Sequence, residues 1–200
     1  MIYEFELIGK KGTWNEDKKE MFIEEKLVDL SSLTQNAVAL INKKIREKLP
    51  RPEVLKLNIG SGFRPDVNSI NLDYDPDTYP DILRDLNEGL PFDSDKFDEV
   101  YSSHVIEHVK DVFLFMYEIW RVGKNKSKVT IICPNGLNLS SAIQPDHLRL
   151  INWEFFARWR PEHKSVQNEL KQTRGAYFNI IDRQLINDEK EIKFILEVSK

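Results

Sequence analysis

The hydrophobic positions change period along the chain, and each change predicts a different element. Residues 16–49 carry apolar side chains at helical spacing: Ile23, Leu27 and Leu30 share one face, and after Ser32, with Gln35 as its capping partner, so do Leu33, Ala37, Leu40, Ile41 and Ile45. The "LPRP" at 49–52 closes this stretch, so residues 1–52 read as a helical prefix packed on the core. Strand-like runs then recur at Val54–Ile59, Ser69–Asp73, Ile82–Leu86, Phe97–Ser102 and Lys128–Cys133. Among them, "VIEHVKDVFLFMYEIWRV" carries a helical stripe of Val105, Val109, Val112, Met116 and Ile119, stopped by Gly123. Continuous apolar strands alternating with helices and loops predict an α/β, doubly wound, mostly parallel sheet over residues 53–200, with helices on both faces. The tail differs: "YFNIIDRQLI" and "EIKFILEVS" flank the turn-like "NDEK" and predict an antiparallel C-terminal strand pair.

Composition narrows the function classes. At 200 residues, 40% hydrophobic and 31% charged, the chain supports one sizeable core. A formal net charge of -4 supplies no global basic field, so no nucleic-acid partner is expected. The single cysteine, Cys133, sits in the apolar run "VTIICP" and reads as a core residue of an intracellular chain, with a cytoplasmic location expected. No apolar stretch reaches the ~18 residues of a membrane span and the N-terminus lacks a targeting pattern, so no membrane partner is expected either.

The candidate chemistry begins at "LKLNIGSGF", residues 55–63, where an apolar strand breaks at two glycines. In an open α/β sheet ligands bind beyond the carboxyl ends of the strands, and glycine there lets the backbone approach where a Cβ would collide. The third glycine of a dinucleotide fingerprint is missing, because Phe63-Arg64-Pro65 follows and proline cannot sit inside a helix. A nucleoside without a pyrophosphate needs the turn but not the helix, which shifts the reading toward S-adenosylmethionine. An adenosine site also needs an acceptor for two ribose hydroxyls, and Asp73 in "INLDYDP" offers a carboxylate at the next strand end. Asp85 could accept from the adenine amino group while Leu86 packs on the ring.

The segments "LNIGSG", "INLDYDP", "DILRDLNEGLPFDSDKFDEVYSSHVIEHV" and "VTIICPN" resemble the class I S-adenosylmethionine-dependent methyltransferases, particularly a subgroup found with surface-polysaccharide biosynthesis genes. The resemblance spans residues 54–151 and implies a Rossmann-like methyltransferase sheet with an S-adenosylmethionine cofactor. It also implies a cofactor site of Asn58, Gly60, Ser61, Gly62, Asp73, Tyr74, Asp85, Leu86, Ser103 and His104, and a small-molecule acceptor such as a sugar or nucleotide-sugar. Asn58 departs from the acidic residue usual there and removes a charge near the cofactor's ammonium. Only about ten residues separate Gly60 from Ile70, fewer than the ~10–12 of a helical crossover, so the first crossover reads as a stub or open loop.

Two histidines, His104 and His147, are the candidate catalytic bases, since they follow the fourth and fifth strands and imidazole titrates near neutral pH. Tyr101, Asn135 and Tyr177 are candidates to shape an acceptor pocket, and Arg149, Arg158 and Arg160 could meet an acidic acceptor. The aromatic set Trp153, Phe155, Phe156 and Trp159, after a possible Asn152 cap, reads as core or lid. A rival reading is a zinc hydrolase, because His104, Glu107 and His108 form H-x-x-E-H, with His147 or His163 as a possible third ligand. The favoured reading assigns no metal. A non-catalytic cofactor- or partner-binding module of the same fold is the other alternative.

Overall fold

The computed structural model describes residues 2–7, 10–15, 20–23, 26–27, 34–48, 53–139, 144–162 and 171–200. The Ser32 cap, Leu30 and Leu33, the "LPRP" closure and His163 lie outside these residues.

The helical reading of the prefix holds only for α1, Gln35–Lys48. Before it, β1 (Ile2–Leu7), β2 (Lys10–Asn15), β3 (Glu20–Ile23) and β4 (Lys26–Leu27) form a separate antiparallel sheet in sequential order. Ile23 and Leu27 therefore belong to strands, not to a shared helical face. The pairing explains why: Tyr3 faces Trp14 and Trp14 faces Met21 in register, so a ladder takes the backbone hydrogen bonds that a helix over 20–27 would need. Thr34 caps α1, accepting from Ala37 N–H at 3.3 Å. Ala39, Ile41 and Ile45 form the buried stripe of α1, and Arg46 pairs with Asp81 at 3.2 Å and donates to the Tyr79 carbonyl.

The main sheet contains β5 (Lys56–Ile59), β6 (Ile70–Asp73), β7 (Ile82–Leu83), β8 (Phe97–Ser103), β9 (Gly123–Pro134), β10 (Tyr177–Ile186) and β11 (Glu191–Ser199). Its order is β10-β11-β9-β8-β5-β6-β7. The strands from β7 to β9 run parallel, and β11 pairs antiparallel with both β9 and β10. The terminal hairpin has the predicted bounds. Strand order reverses between β5 and β8, which opens a crevice beyond their carboxyl ends.

The crossovers are thinner than the predicted helices. Turns connect β5 to β6, as the short spacing predicts, and the 3₁₀ turn Pro76–Thr78 lies between β6 and β7. The helix read from Val105 onward begins only at Val112: α2 is Val112–Val122, with Asp111 accepting from Leu114 N–H at 2.9 Å as its cap. Residues 105–108 form a turn closed by His108 N–H donating to the Val105 carbonyl. The aspartate cap offers the backbone an alternative partner and sets the boundary there. Gly123 ends α2 and directly starts β9.

Phe115, Met116, Ile119 and Val122 of α2 join Leu57, Ile59, Leu72, Val100, Val129, Ile131 and the alternating Ile192, Phe194, Leu196 and Val198 in one core. Phe156 and Trp159 are core residues in the 3₁₀ helix Phe155–Trp159, while Trp153 lies under the Arg183 guanidinium at 5.0 Å. Asn152 accepts from Glu154 N–H in the turn before that helix. Cys133 is fully buried, and burial pushes its thiol up. No described helix is long and apolar enough to cross a membrane.

Candidate functional site

The glycine turn after β5 is held by β6: Gly60 N–H and Ser61 N–H both donate to the Leu72 carbonyl, at 2.8 and 3.2 Å. Gly60 and Gly62 adopt φ of +68° and +50°, the left-handed region where a side chain is costly. Gly60 also faces Val105, and a Cβ there would sit 2.2 Å from Val105 Cγ2. Gly62 meets nothing within 4 Å. We therefore expect Gly60→Ala to cost about 2–4 kcal/mol, from left-handed strain plus overpacking, and Gly62→Ala about 1–2 kcal/mol from strain alone. Denaturant unfolding of the two variants checks this contrast; equal costs would mean that Val105 gives way freely.

Asp73 ends β6, 6% exposed, with each carboxylate oxygen bonded to the turn backbone: Oδ2 accepts from Gly62 N–H at 2.7 Å and Oδ1 from Asp75 N–H at 3.0 Å. Each oxygen retains a second acceptor direction. Asp85 follows β7 and caps the 3₁₀ turn Leu86–Glu88, where both the Asn87 N–H and the Asn87 side-chain amide donate to Oδ1. Those bonds hold its carboxyl below the usual range. Tyr74 is 76% exposed at the mouth.

These residues line one cavity of about 740 Å³. Its wall includes Gly60, Gly62, Asp73, Tyr74, Asp85, Leu86, Ser103 and His104, drawn from the ends of β5, β6, β7 and β8. Phe63, Asp75, Thr78, Val105, His108 and Asp146 also line it, and the sequence reading gave none of these six a cofactor role. Thr78 follows from the Asp75-Pro76 turn signal, whereas Asp146 arrives from a loop distant in sequence.

Two residues of the sequence-derived cofactor set are not in the wall. Ser61 is 6% exposed and its Oγ is buried without a hydrogen-bond partner. Asn58 is buried in an amide network: its Nδ2 donates to Asn71 Oδ1 at 2.9 Å, and Asn71 Nδ2 in turn donates to the Asp66 and Ser69 carbonyls and Asp81 Oδ2. A carboxylate at 58 would set oxygen against the Asn71 oxygen, which gives this chain a local reason for the neutral amide.

His104 leaves β8 with φ of +55°. Its Nδ1 lies 3.4 Å from Glu107 Oε1 and its Nε2 3.1 Å from Glu191 Oε1. The Glu107 carboxylate first, and Glu191 with it, raise its pKa above the ordinary histidine value, against the opposing effect of burial. His147 is not in the cavity wall; its ring lies edge-on to His108 with centroids 5.0 Å apart. The loop carrying it is pinned to the 105–110 turn by Leu148 N–H donating to the Glu107 carbonyl and by Arg149, which donates to the carbonyls of Ile106, Val109 and Lys110.

The arginines considered for an acidic acceptor have protein partners: Arg149 as above, Arg158 with Gln172, and Arg160 with Glu154 at 3.6 Å. Asn135 bonds the Glu189 carbonyl and Leu137 N–H, Tyr177 is buried, and Tyr101 lines a separate small cavity with Lys56 and Thr130. None of these three is in the wall of the large cavity.

The residues present fit a nucleoside ligand. The volume lies within the ~300–1,000 Å³ of small-molecule sites, the backbone turn comes close without side chains, and each Asp73 carboxylate oxygen keeps a second acceptor direction. Residues 65–131 match the methyltransferase domain family. No curated protein matches the chain by sequence. Among solved structures, the [4+2]-cyclase SpnF superposes with a TM-score of 0.54 at 12% identity, covering 86% of this chain and 84% of that one. A candidate methyltransferase from Bacillus halodurans gives 0.51 at 11% identity over 81% and 98%, and YcgJ from Bacillus subtilis 0.50 at 14% over 84% and 99%. The chain shares the Rossmann-like α/β fold of these structures, and the match of residues 65–131 to the methyltransferase domain family implies S-adenosylmethionine as its cofactor.

Proposed function

We propose that the chain transfers a methyl group from S-adenosylmethionine to a hydroxyl of a small-molecule acceptor, with sugars and nucleotide-sugars as the acceptor class. The observation that carries the reading is the convergence of two glycines and two aspartates from three separate strand ends on one cavity at the reversal of strand order. When bound, S-adenosylmethionine supplies the electrophilic methyl, so the protein's task is to bind, align and exclude water.

In this reading the Gly60-Ser61-Gly62 turn takes the methionine part and Asp73 accepts from the ribose hydroxyls. Asp85 accepts from the adenine amino group, and Tyr74 and Leu86 flank the ring. Ser103 and His104, at the end of β8, stand beside the reacting end, where His104 serves as the acceptor's base. Asn58 acts through the buried network under the turn. Residues 53–200 form the cofactor-binding domain and the 1–52 prefix an acceptor-side cap, a part supported by the Arg46 contacts to Tyr79 and Asp81 next to Thr78 of the cavity wall. The acceptor class rests on the resemblance carried by residues 54–151.

Because the same fold carries the cyclase SpnF, donor binding and turnover are tested separately. Titration calorimetry is expected to show S-adenosylmethionine and S-adenosylhomocysteine binding with no comparable heat from a nicotinamide dinucleotide. Release of S-adenosylhomocysteine across a panel of sugar and nucleotide-sugar acceptors then tests transfer. Donor binding without turnover on any acceptor class would favour a non-catalytic module. Within the site, Asp85→Ala is expected to weaken the donor by only about fivefold, near 1 kcal/mol, because it removes one exposed hydrogen bond.

A further inference from the structure

We propose that Glu107, His108 and His147 hold a divalent transition-metal ion, of the zinc type, beside the cofactor cavity. The favoured sequence reading assigned no metal, while the rival zinc reading set His104 and His108 on one helical face and sought a third ligand in His147 or His163. The structure removes that helix, since residues 105–108 are a turn, yet it supplies the third ligand from the 144–151 loop. One ligating atom from each of the three residues lies within 4.8 Å of the others.

Glu107 makes the cluster more than a chance meeting of polar groups. It is 1% exposed, and neither carboxylate oxygen receives a hydrogen bond. A buried carboxylate without donors is costly, and the His104 Nδ1 and His108 Nε2 nitrogens lie 3.4 and 3.9 Å from Oε1. A cation between Glu107 and the two rings would offset that cost directly.

His108 shows the second feature of a ligand. Its Nδ1 lies 3.1 Å from the Asp146 carbonyl, which can only accept, so Nδ1 donates there and Nε2, the atom on the Glu107 side, is the ring nitrogen placed for an ion. A ring nitrogen fixed by a backbone carbonyl is how metal-bound imidazoles are oriented. The same loop is tied down by Leu148 and Arg149, so His147 is delivered on anchored backbone.

Two imidazoles and one carboxylate suit borderline ions such as zinc, cobalt or nickel better than calcium, magnesium or manganese, which favour oxygen ligands. Three protein ligands leave positions open, as in catalytic and not structural sites. His108 and Asp146 also line the cofactor cavity, which puts the ion next to it. The open positions then suit an acceptor oxygen; that assignment rests on the methyl-transfer reading, whereas the ion itself does not.

The test uses the full chain, purified without an affinity tag, stripped with a chelator and titrated with cobalt(II) and then with zinc in competition. One ion per chain is expected, with ligand-field absorption in the visible from cobalt and a rise in melting temperature. His108→Ala, His147→Ala and Glu107→Gln should each weaken binding at least about tenfold, the loss expected when a ligand is removed, with His163→Ala unchanged. Circular dichroism confirms folding, and the isosteric Glu107→Gln serves if an alanine variant does not fold. Absence of stoichiometric binding, or unchanged binding in both histidine variants, overturns the site. S-adenosylhomocysteine is titrated in parallel: ion binding without it refutes the cofactor reading alone, and the reverse refutes the metal site alone.

Discussion

Asp73→Ala is expected to weaken S-adenosylmethionine binding by more than about tenfold and toward a thousandfold. Two hydrogen bonds from ribose hydroxyls to a charged acceptor are worth about 2–4 kcal/mol together, and each 1.4 kcal/mol is a factor of ten. The structure adds a second route to the same loss. Asp73 also holds Gly62 N–H at 2.7 Å and Asp75 N–H at 3.0 Å, so alanine loosens the turns on both sides of the cavity. Asp73→Asn separates the two routes: it keeps a neutral acceptor oxygen for one turn bond but loses the charge that strengthens the ribose contacts. Calorimetry on both variants, with thermal melts to monitor the turn, reads the result. Unchanged donor affinity in Asp73→Ala would reduce Asp73 to a turn residue and remove the strongest support for the nucleoside site.

The parts of this arrangement visible in the sequence were those written in local spacing. The terminal hairpin appeared with its bounds because alternation in "EIKFILEVS" is a period-two signal and "NDEK" is a turn signal, and in the fold Glu191–Ser199 buries every second residue. Asp73 and Asp85 were visible because a strand end followed by Asp is local, and both line the cavity. Tyr3, Phe5 and Leu7 alternate with Glu4 and Glu6 at period two in β1, whereas Ile23 and Leu27 stand at helical spacing within the 16–49 stretch. Strand pairing of β3 with β2 and β4 overrides the helical spacing there.

Non-local geometry was not legible. Asn58 follows the apolar strand directly into the glycine turn, and nothing in its spacing says that its amide turns to Asn71 instead of to the cavity. Val109 and Val112 fall in helical register across a boundary set by the Asp111 cap, so the pattern extended the helix too far. His147 reaches His108 only because Arg149 ties its loop to the carbonyls of the 105–110 turn, a contact between segments about forty residues apart that periodicity cannot reveal.

A partly buried ion pair holds the wall that carries Asp85 and Leu86, and removing it has a large expected effect on stability. Glu118 on α2 accepts from Leu90 N–H at 2.7 Å, and Arg121 donates to both Glu118 oxygens at 2.7 and 2.8 Å and to the Leu90 and Phe92 carbonyls at 2.9 and 2.6 Å. The side chains are 11% and 21% exposed. Glu118→Ala leaves the Leu90 N–H without its acceptor and the guanidinium short of its counter-charge. Breaking a fully buried pair costs ~3–5 kcal/mol, and partial exposure reduces this to about 2–3 kcal/mol. At roughly 2–4 °C per kcal/mol for a chain of this size, the melting temperature should fall by about 5–10 °C. The effect depends on pH with a definite sign. Burial alone raises the Glu118 pKa, but the Arg121 guanidinium and the Leu90 N–H more than offset it and hold the carboxyl below its ordinary value. A folded-state pKa below the unfolded one stabilises fully above the unfolded value, near ~4.3, and that contribution is lost as pH falls through the folded value. The gap between wild type and Glu118→Gln should therefore be constant from neutral pH down to about 5 and shrink below about 4. Urea denaturation across that range measures it. A gap that widens in acid would mean that the carboxyl is protonated in the folded chain, and the Arg121 guanidinium would then donate to a neutral carboxyl with no ion pair.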